Sequence, residues 1–250
     1  MEQTPITRFG TQDAILVARS QRDVARAIAA LLTFSAEPDA PPRAGLVGRL
    51  LGRRRAAAPQ ARALPTYTFR AVTPAEADLP LIGWRLADGR TAEADETIRL
   101  STPVAAPDWT LVETCETVHG ISMTALGLSA HLPGSEALYL RRTIGKGGPR
   151  QAAFHVYREA EAVRRIACTA IWADGRPASE WWERIADGAP TAYEPAGLMT
   201  EGAFGADHFG EAGIEAILGR LGLSLDTLLG PRARRDAHAF ERAAEVPAAA

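Results

Sequence analysis

The sequence predicts an α+β protein with a mostly antiparallel, meandering sheet and three or four helices. Two observations lead to this prediction. Several segments between residues 66 and 173 alternate apolar and polar residues, the period of two that half-buried strands show. Segments near residues 20–34 and 210–222 instead carry apolar residues at helical spacing. The 250 residues are 46% hydrophobic and 23% charged, which is enough apolar material for an ordinary globular core.

The first predicted elements are a strand and a helix. The segment "DAILVARS" holds an apolar run between polar flanks, which indicates a buried strand. Ser20 and Asp23 then form the Ser-x-x-acid pattern that is typical of a helix N-terminus. Val24 and Ile28 begin one apolar stripe along that helix. We expect residues 1–34 to form a β–α unit that packs on the main domain.

Residues 35–65 have a different composition, with five prolines and three glycines. Proline removes a backbone donor and disfavours the helical conformation in the residue before it. The segment therefore reads as a long loop or disordered linker that carries many arginines.

The main domain is predicted to span residues 66–230. "TYTFRAV" and "DWTLVETCETV" alternate as strands do, and "LIGWRLADGRT" ends at an Asp-Gly turn with "ETIRLS" as the expected return strand. "SMTALGLSAHLPG" indicates a short helix that ends at Pro-Gly. Three strands follow in series, in "EALYLRRTI", "QAAFHVYRE" and "AVRRIACTAIWA".

The last part of the chain is less regular. "ASEWWERIADG" fits either a strand or a short helix. A helix is predicted over residues 210–222, and "SLDTLLGP" follows it as a turn. Residues 231–250 are charged and rich in alanine, and we expect them to form a flexible tail.

Cys115 and His119 are the candidate catalytic residues. They lie four residues apart, so a thiol nucleophile and its imidazole base could face the same side of an element. The same pair could supply two metal ligands, but structural zinc sites usually have a second Cys/His pair at short spacing, and this sequence lacks one. Simple packing is the alternative interpretation. No phosphate-loop, dinucleotide or metalloprotease motif is present, so no metal or cofactor is predicted.

Two arginine pairs, Arg141–Arg142 and Arg164–Arg165, lie in predicted strands. Because adjacent strand residues point to opposite faces, each pair places one arginine on each face of the sheet. Cross-strand ion pairs with Glu136 or Glu159 are one interpretation. A basic sheet face that binds an acidic partner is the other.

Arg49, Arg53, Arg54 and Arg55 lie in the basic stretch "GRLLGRRRAAAP". The stretch is a candidate for contact with a partner, either the phosphates of a nucleic acid or an anionic membrane surface. Each of its glycines costs about 1 kcal/mol of helix stability relative to alanine, which disfavours an amphipathic helix. A simple tether, or docking of the stretch on the acidic remainder of the chain, are the alternatives.

The segment "IACTAIWADGRPASEWWERIADGAPTAYE" leads into the pattern Gly-x-Pro-x-x-aromatic-Glu, here Gly188–Glu194. Residues 135–230 resemble in this respect the late segment of several small bacterial α+β families. Those families supply no activity, so the resemblance assigns no role to any residue. It favours an accessory or immunity-like protein over an enzyme.

These observations predict a non-enzymatic bacterial interaction protein, regulatory or immunity-like, with a protein partner. Its location is expected to be cytoplasmic, since no secretory signal and no apolar run of about 18 residues is present. The net charge of −2 gives no overall attraction to nucleic acid. The two alternatives are an enzyme that uses Cys115 and His119, and peripheral attachment through Arg49–Arg55.

Overall fold

The computed structural model describes residues 11–34, 67–79, 81, 84–92, 97–114, 118–143, 151–173, 176–196, 198, 211–230 and 232–243. The strands are β1 (Thr11–Val17), β2 (Tyr67–Ala71), β3 (Thr97–Pro103), β4 (Thr110–Thr114), β5 (Glu136–Thr143), β6 (Gln151–Arg158), β7 (Glu161–Ala173), β8 (Arg176–Asp187) and β9 (Arg234–Arg242). The helices are α1 (Gln21–Phe34), α2 (Pro74–Ala77), α3 (Val118–His131), α4 (Glu211–Arg220) and α5 (Leu225–Leu229).

Within these residues the nine strands form one sheet in the order β2-β9-β3-β4-β1-β5-β6-β7-β8. Every neighbouring pair is antiparallel. The predicted α+β class with a mostly antiparallel sheet is therefore confirmed. The described helices number five rather than three or four, because two segments form helices of only four and five residues.

The two faces of the sheet bury different sets of side chains. On the face that we call the α1/α3 face, Val24 and Ile28 of α1 and Leu128 of α3 pack against alternate strand residues such as Ile15 and Val112. These apolar positions are the stripe that predicted α1. The Asp23 backbone N–H donates to Ser20 Oγ, so the helix begins where the sequence indicates.

On the opposite face, which we call the α4/α5 face, Ile217 of α4 and Leu228 of α5 pack against residues such as Leu138 and Phe154. A second cluster on this face joins Trp84 and Leu86 to small residues of β9, including Ala239. Apolar clusters therefore lie on both faces of the sheet, and five charged residues of the described strands are buried, namely Arg99, Glu113, Arg141, Arg164 and Glu241.

The expected flexible tail over residues 231–250 is wrong for Arg234–Arg242, which form β9 between β2 and β3. Alanine, arginine and glutamate have weak strand preference, but here Ala237 and Ala239 are the small residues on which Trp84 packs. Tertiary packing therefore overrides local propensity.

Two further expectations need correction. β1 pairs with both β4 and β5, so it is an interior strand of the sheet rather than part of a unit packed on it. Among the described residues, the segment after the Asp88–Gly89 turn returns through an isolated bridge between Arg85 and Thr91 and does not form a named strand. "ETIRLS" forms β3 and pairs with β4 and β9 instead, because Trp84 is buried against a face of the sheet and does not lie in it.

Candidate functional site

Buried charges on the α4/α5 face hold irregular segments onto the sheet. Arg99 of β3 is 1% exposed and faces Glu113 of β4. Its Nε and Nη2 donate to the two carboxylate oxygens of Glu113 at 2.9 and 3.0 Å. Its Nη1 donates to the carbonyl of Leu79 at 2.7 Å. The guanidinium therefore ties the segment after α2 to the sheet, and the neighbouring cations keep the pKa of Glu113 below its usual value despite burial.

Glu241 of β9 likewise ties the segment around the Asp88–Gly89 turn to the sheet. Its carboxylate accepts from Trp84 Nε1 at 2.9 Å, from the Ala87 backbone N–H at 3.0 Å and from Arg70 Nε at 2.9 Å. The Trp84 ring also lies 5.7 Å from the Arg70 guanidinium, within cation–π range. Trp84 and Ala87 belong to this segment and Arg70 to β2, so one buried carboxylate of β9 joins two other parts of the chain.

The Gly-x-Pro-x-x-aromatic-Glu pattern forms a third connection of this kind. Glu194 accepts from Arg164 Nε and Nη2 at 3.0 and 2.7 Å and from the Thr191 backbone N–H at 2.8 Å. Arg164 Nη1 donates to the carbonyl of Gly188 at 2.6 Å. Gly188 has φ +83°, and a Cβ there would lie 2.1 Å from the carbonyl oxygen of Val163. The pattern therefore closes a loop over a buried arginine.

A different group of polar side chains lies on the α1/α3 face. We call Asp13 of β1, Tyr139 and Arg141 of β5, and His155 of β6 the Arg141 cluster. Asp13 is the register partner of Arg141, and Tyr139 is the register partner of His155. Alternation along the strands points all four toward the same face.

The hydrogen bonding of Arg141 is incomplete. Its side chain is 10% exposed, and its Nε lies 3.8 Å from Asp13 Oδ1, too far for a hydrogen bond. Its Nε and Nη1 have no acceptor within the part of the chain that the structure describes. Asp13 Oδ1 instead accepts from the Tyr139 hydroxyl at 2.8 Å. A buried cation with unpaired N–H groups is unfavourable for stability, and these two nitrogens have almost no solvent-exposed surface.

The other groups of the cluster add no positive charge at neutral pH. Burial, assisted by the nearby Arg165, lowers the pKa of His155 to about 4, so its ring is neutral. Its Nδ1 shares a hydrogen bond of 3.0 Å with the Tyr157 hydroxyl. Burial raises the pKa of Asp13 above its ordinary value, although Arg141 acts in the opposite direction. Arg165 itself is paired with Asp187 at 2.5 Å.

The structure does not test the residues that the sequence placed first. Cys115 and the four arginines of the basic stretch, Arg49, Arg53, Arg54 and Arg55, lie outside the described residues. His119 belongs to α3, but its side chain also lies outside the described part.

The prediction for the two arginine pairs is correct about the faces of the sheet and wrong about the acids that pair with them. Arg164 and Arg165 lie on opposite faces, but the acid beside Arg141 is Asp13 and the acid beside Arg164 is Glu194. Glu136 pairs with Arg158 and accepts from the Tyr193 hydroxyl. The sequence offered no signal for the pairing of Asp13 with Arg141, because the contact between β1 and β5 joins segments more than 100 residues apart.

Comparisons with profiles of known protein families, with curated proteins and with solved structures found no match to this chain. In the described residues, no three His, Cys, Asp or Glu side chains converge on a position that could hold a metal ion. No helix among them has the length and apolar character needed to span a membrane.

Proposed function

We propose that this protein is a non-enzymatic interaction protein that binds an acidic group of a protein partner with Arg141. The observation that carries the proposal is the buried guanidinium whose Nε and Nη1 lack acceptors among the described residues. Both nitrogens are enclosed by the protein, so a carboxylate from outside the chain would reach them only after the surrounding side chains move, and it would then supply those acceptors in a charge-assisted hydrogen bond.

The surroundings of Arg141 support a single acidic side chain as the group that is bound. Arg165, the next arginine on this face, already pairs with Asp187, and His155 is neutral at neutral pH. Arg141 already lies within ion-pair distance of Asp13, so a bound carboxylate would share this one cation with Asp13. Arginine is also the charged residue most often found at the energetic centre of protein interfaces, where its partner is desolvated.

The proposal is tested with fluorescently labelled peptides of ten glutamates and of ten glutamines, titrated with the full-length protein and followed by anisotropy. We expect the glutamate peptide to bind and the glutamine peptide not to bind. Arg141→Met should abolish binding of the glutamate peptide. Arg158→Met is the matched control, because Arg158 is an exposed arginine already paired with Glu136.

The same three proteins then serve as bait for partners from the native host. Partners that depend on Arg141 should be retained by the wild type and by Arg158→Met but not by Arg141→Met. If Arg141→Met binds the glutamate peptide as tightly as the wild type does, the proposed function is wrong.

A further inference from the structure

A cleft of about 410 Å³ lies between α1 and the end of α3. Its floor is apolar, with Ala27 and Ala30 on one side and Leu132 and Pro133 on the other. Ala27 and Leu132 are buried members of the apolar cluster on the α1/α3 face, so the core of the protein supports this floor. The volume lies within the range of roughly 300–1,000 Å³ that is typical of sites for small organic ligands.

Arg19 lines this cleft, and its guanidinium is held in place. Its Nε donates to the Ser135 hydroxyl, and its Nη2 donates to the carbonyl of Pro133 at 2.9 Å. The Arg19 carbonyl accepts from the Thr110 hydroxyl at 2.7 Å, which also fixes the backbone of this residue. The side chain therefore has little conformational freedom left to lose when a ligand binds.

The charge of Arg19 is not balanced by an acid. A guanidinium carries five N–H groups, and the bonds to Ser135 and Pro133 use two of them. Both acceptors are neutral, and among the described residues no carboxylate lies at ion-pair distance from Arg19. Arg19 is exposed and lines the cleft, so its remaining donors are accessible to an anion, unlike those of Arg141.

Apart from His131, an exposed residue that also lines the cleft, the charges of the lining residues leave one positive charge in excess. Arg26 Nη1 lies 3.6 Å from Asp23 Oδ1, so these two charges offset each other. Asp23 Oδ2 accepts from the Ser20 hydroxyl, which keeps this carboxylate at the start of α1. A ligand with one negative charge therefore balances Arg19, whereas a second negative charge is repelled by Asp23.

We propose that this cleft is a binding site for a small organic monocarboxylate. The carboxylate accepts from the remaining N–H groups of Arg19 in charge-assisted hydrogen bonds. The carbon chain of the ligand packs on Ala27, Ala30 and Leu132, which removes apolar surface from water. The site shares no residue with the Arg141 cluster, so this inference does not rest on the proposed function.

The test titrates the ¹⁵N-labelled full-length protein with sodium hexanoate at pH 7.5 and constant ionic strength. Binding is followed through the backbone amide signals of Ala27 and Leu132. In the wild type it is also followed through the Arg19 Nε–H signal, which is identified by its absence from Arg19→Met. We expect hexanoate to shift these signals in a saturable way. Acetate, which lacks most of the chain, and hexanamide, which lacks the charge, should each bind about tenfold more weakly or worse.

Arg19→Met should weaken the binding of hexanoate about tenfold or more, because the carboxylate loses its charge-assisted donors. Arg22→Met is the matched control, since Arg22 is an exposed arginine in the first turn of α1 that does not line the cleft. Its affinity for hexanoate should stay within about twofold of the wild-type value, because water and salt screen an exposed charge outside the cleft.

A second pair of variants tests the cleft without changing Arg19. Ala30→Glu places a negative charge among the lining residues, and we expect it to weaken the binding of hexanoate about fivefold or more. Ala29→Glu adds the same charge at the neighbouring exposed position, which does not line the cleft, and should bind hexanoate as the wild type does.

The proposal is wrong if hexanoate does not shift the Arg19 Nε–H signal of the wild type in a saturable way, or if acetate binds as tightly as hexanoate. It is also wrong if either Arg19→Met or Ala30→Glu binds hexanoate as tightly as the wild type does. Arg141→Met should bind hexanoate with the wild-type affinity, so failure of the proposed function leaves this result unchanged.

Discussion

Arg99 and Arg141 are two buried arginines of one sheet with opposite surroundings. Arg99, on the α4/α5 face, forms a bidentate pair with Glu113 and donates to the carbonyl of Leu79. Arg141, on the α1/α3 face, has its nearest acid beyond hydrogen-bond distance and two nitrogens without an acceptor among the described residues. Burial is similar at the two sites, since the residues are 1% and 9% exposed.

The difference teaches that burial of a charge does not by itself reveal its role. A buried ion pair whose donors are satisfied joins separate segments, and its loss leaves the partner charge uncompensated. A buried cation whose donors are unsatisfied adds less stability, because hydrogen bonds do not offset the desolvation of those donors, although its removal leaves Asp13 without its neighbouring cation. The first kind of residue acts on the fold, and for the second we propose a role in binding.

The largest expected effect is the loss of the Arg99 pair. Arg99→Met leaves Glu113 buried with one remaining cationic partner, Arg234 at 3.2 Å. We expect the free energy of unfolding to fall by about 3–5 kcal/mol, measured by urea denaturation. A loss below about 1 kcal/mol would show that the network on the α4/α5 face does not hold the fold together.

The next effect concerns pH and the Arg141 cluster. The pKa of His155 is about 4 in the folded protein, against an ordinary value of 6.5 in the unfolded chain. Between these values the unfolded state binds a proton that the folded state does not, so stability falls as the pH falls from 6.5 to 4. The loss from this residue should reach at most about 3 kcal/mol.

His155→Phe keeps a ring beside Tyr139 and removes the titration. Urea denaturation of both proteins at several pH values should therefore give a flatter dependence for the variant across this window. Identical slopes for the two proteins would mean that the pKa of the histidine is the same in the folded and unfolded states, so that burial does not keep its ring neutral below pH 6.5.

The third expected effect concerns the loop that covers Arg164 and compares Gly188 in this loop with Gly89. Gly188→Ala places a Cβ 2.1 Å from a backbone carbonyl at φ +83°, so the loop must move and lose its contact with Arg164. Gly89 has nearly the same φ, +85°, but open space around it. We expect thermal or urea denaturation to show a loss of about 2 kcal/mol or more for Gly188→Ala and about 1 kcal/mol for Gly89→Ala. Equal losses would show that the loop does not depend on close packing.

Local patterns predicted the elements that have clear periodicity. β2, β5, β6 and β7 alternate in the sequence, and α1 begins at the Ser-x-x-acid pattern. The sequence analysis did not predict β9, because alanine, arginine and glutamate favour helix or disorder locally. Its one local signal is the alternation that places Ala237 and Ala239 on the same face.

The candidate site was predictable only in part. Adjacency within one strand correctly placed Arg141 and Arg142 on different faces. The acid beside Arg141 depends on the pairing of β1 with β5, which joins distant parts of the chain. Asp13 stands at the start of an apolar strand, where a charge is unusual, and this is the only local signal that singles it out.

The most direct measurement of the central claim is the stability of Arg141→Met beside that of Arg99→Met, by urea denaturation of the full-length proteins at pH 7.5. The account predicts that Arg141→Met loses clearly less free energy of unfolding than Arg99→Met, which loses about 3–5 kcal/mol, because Asp13 lies beyond hydrogen-bond distance of Arg141 and keeps its hydrogen bond from Tyr139. A loss for Arg141→Met as large as that for Arg99→Met would contradict it, because Arg141 would then serve the fold and not a partner.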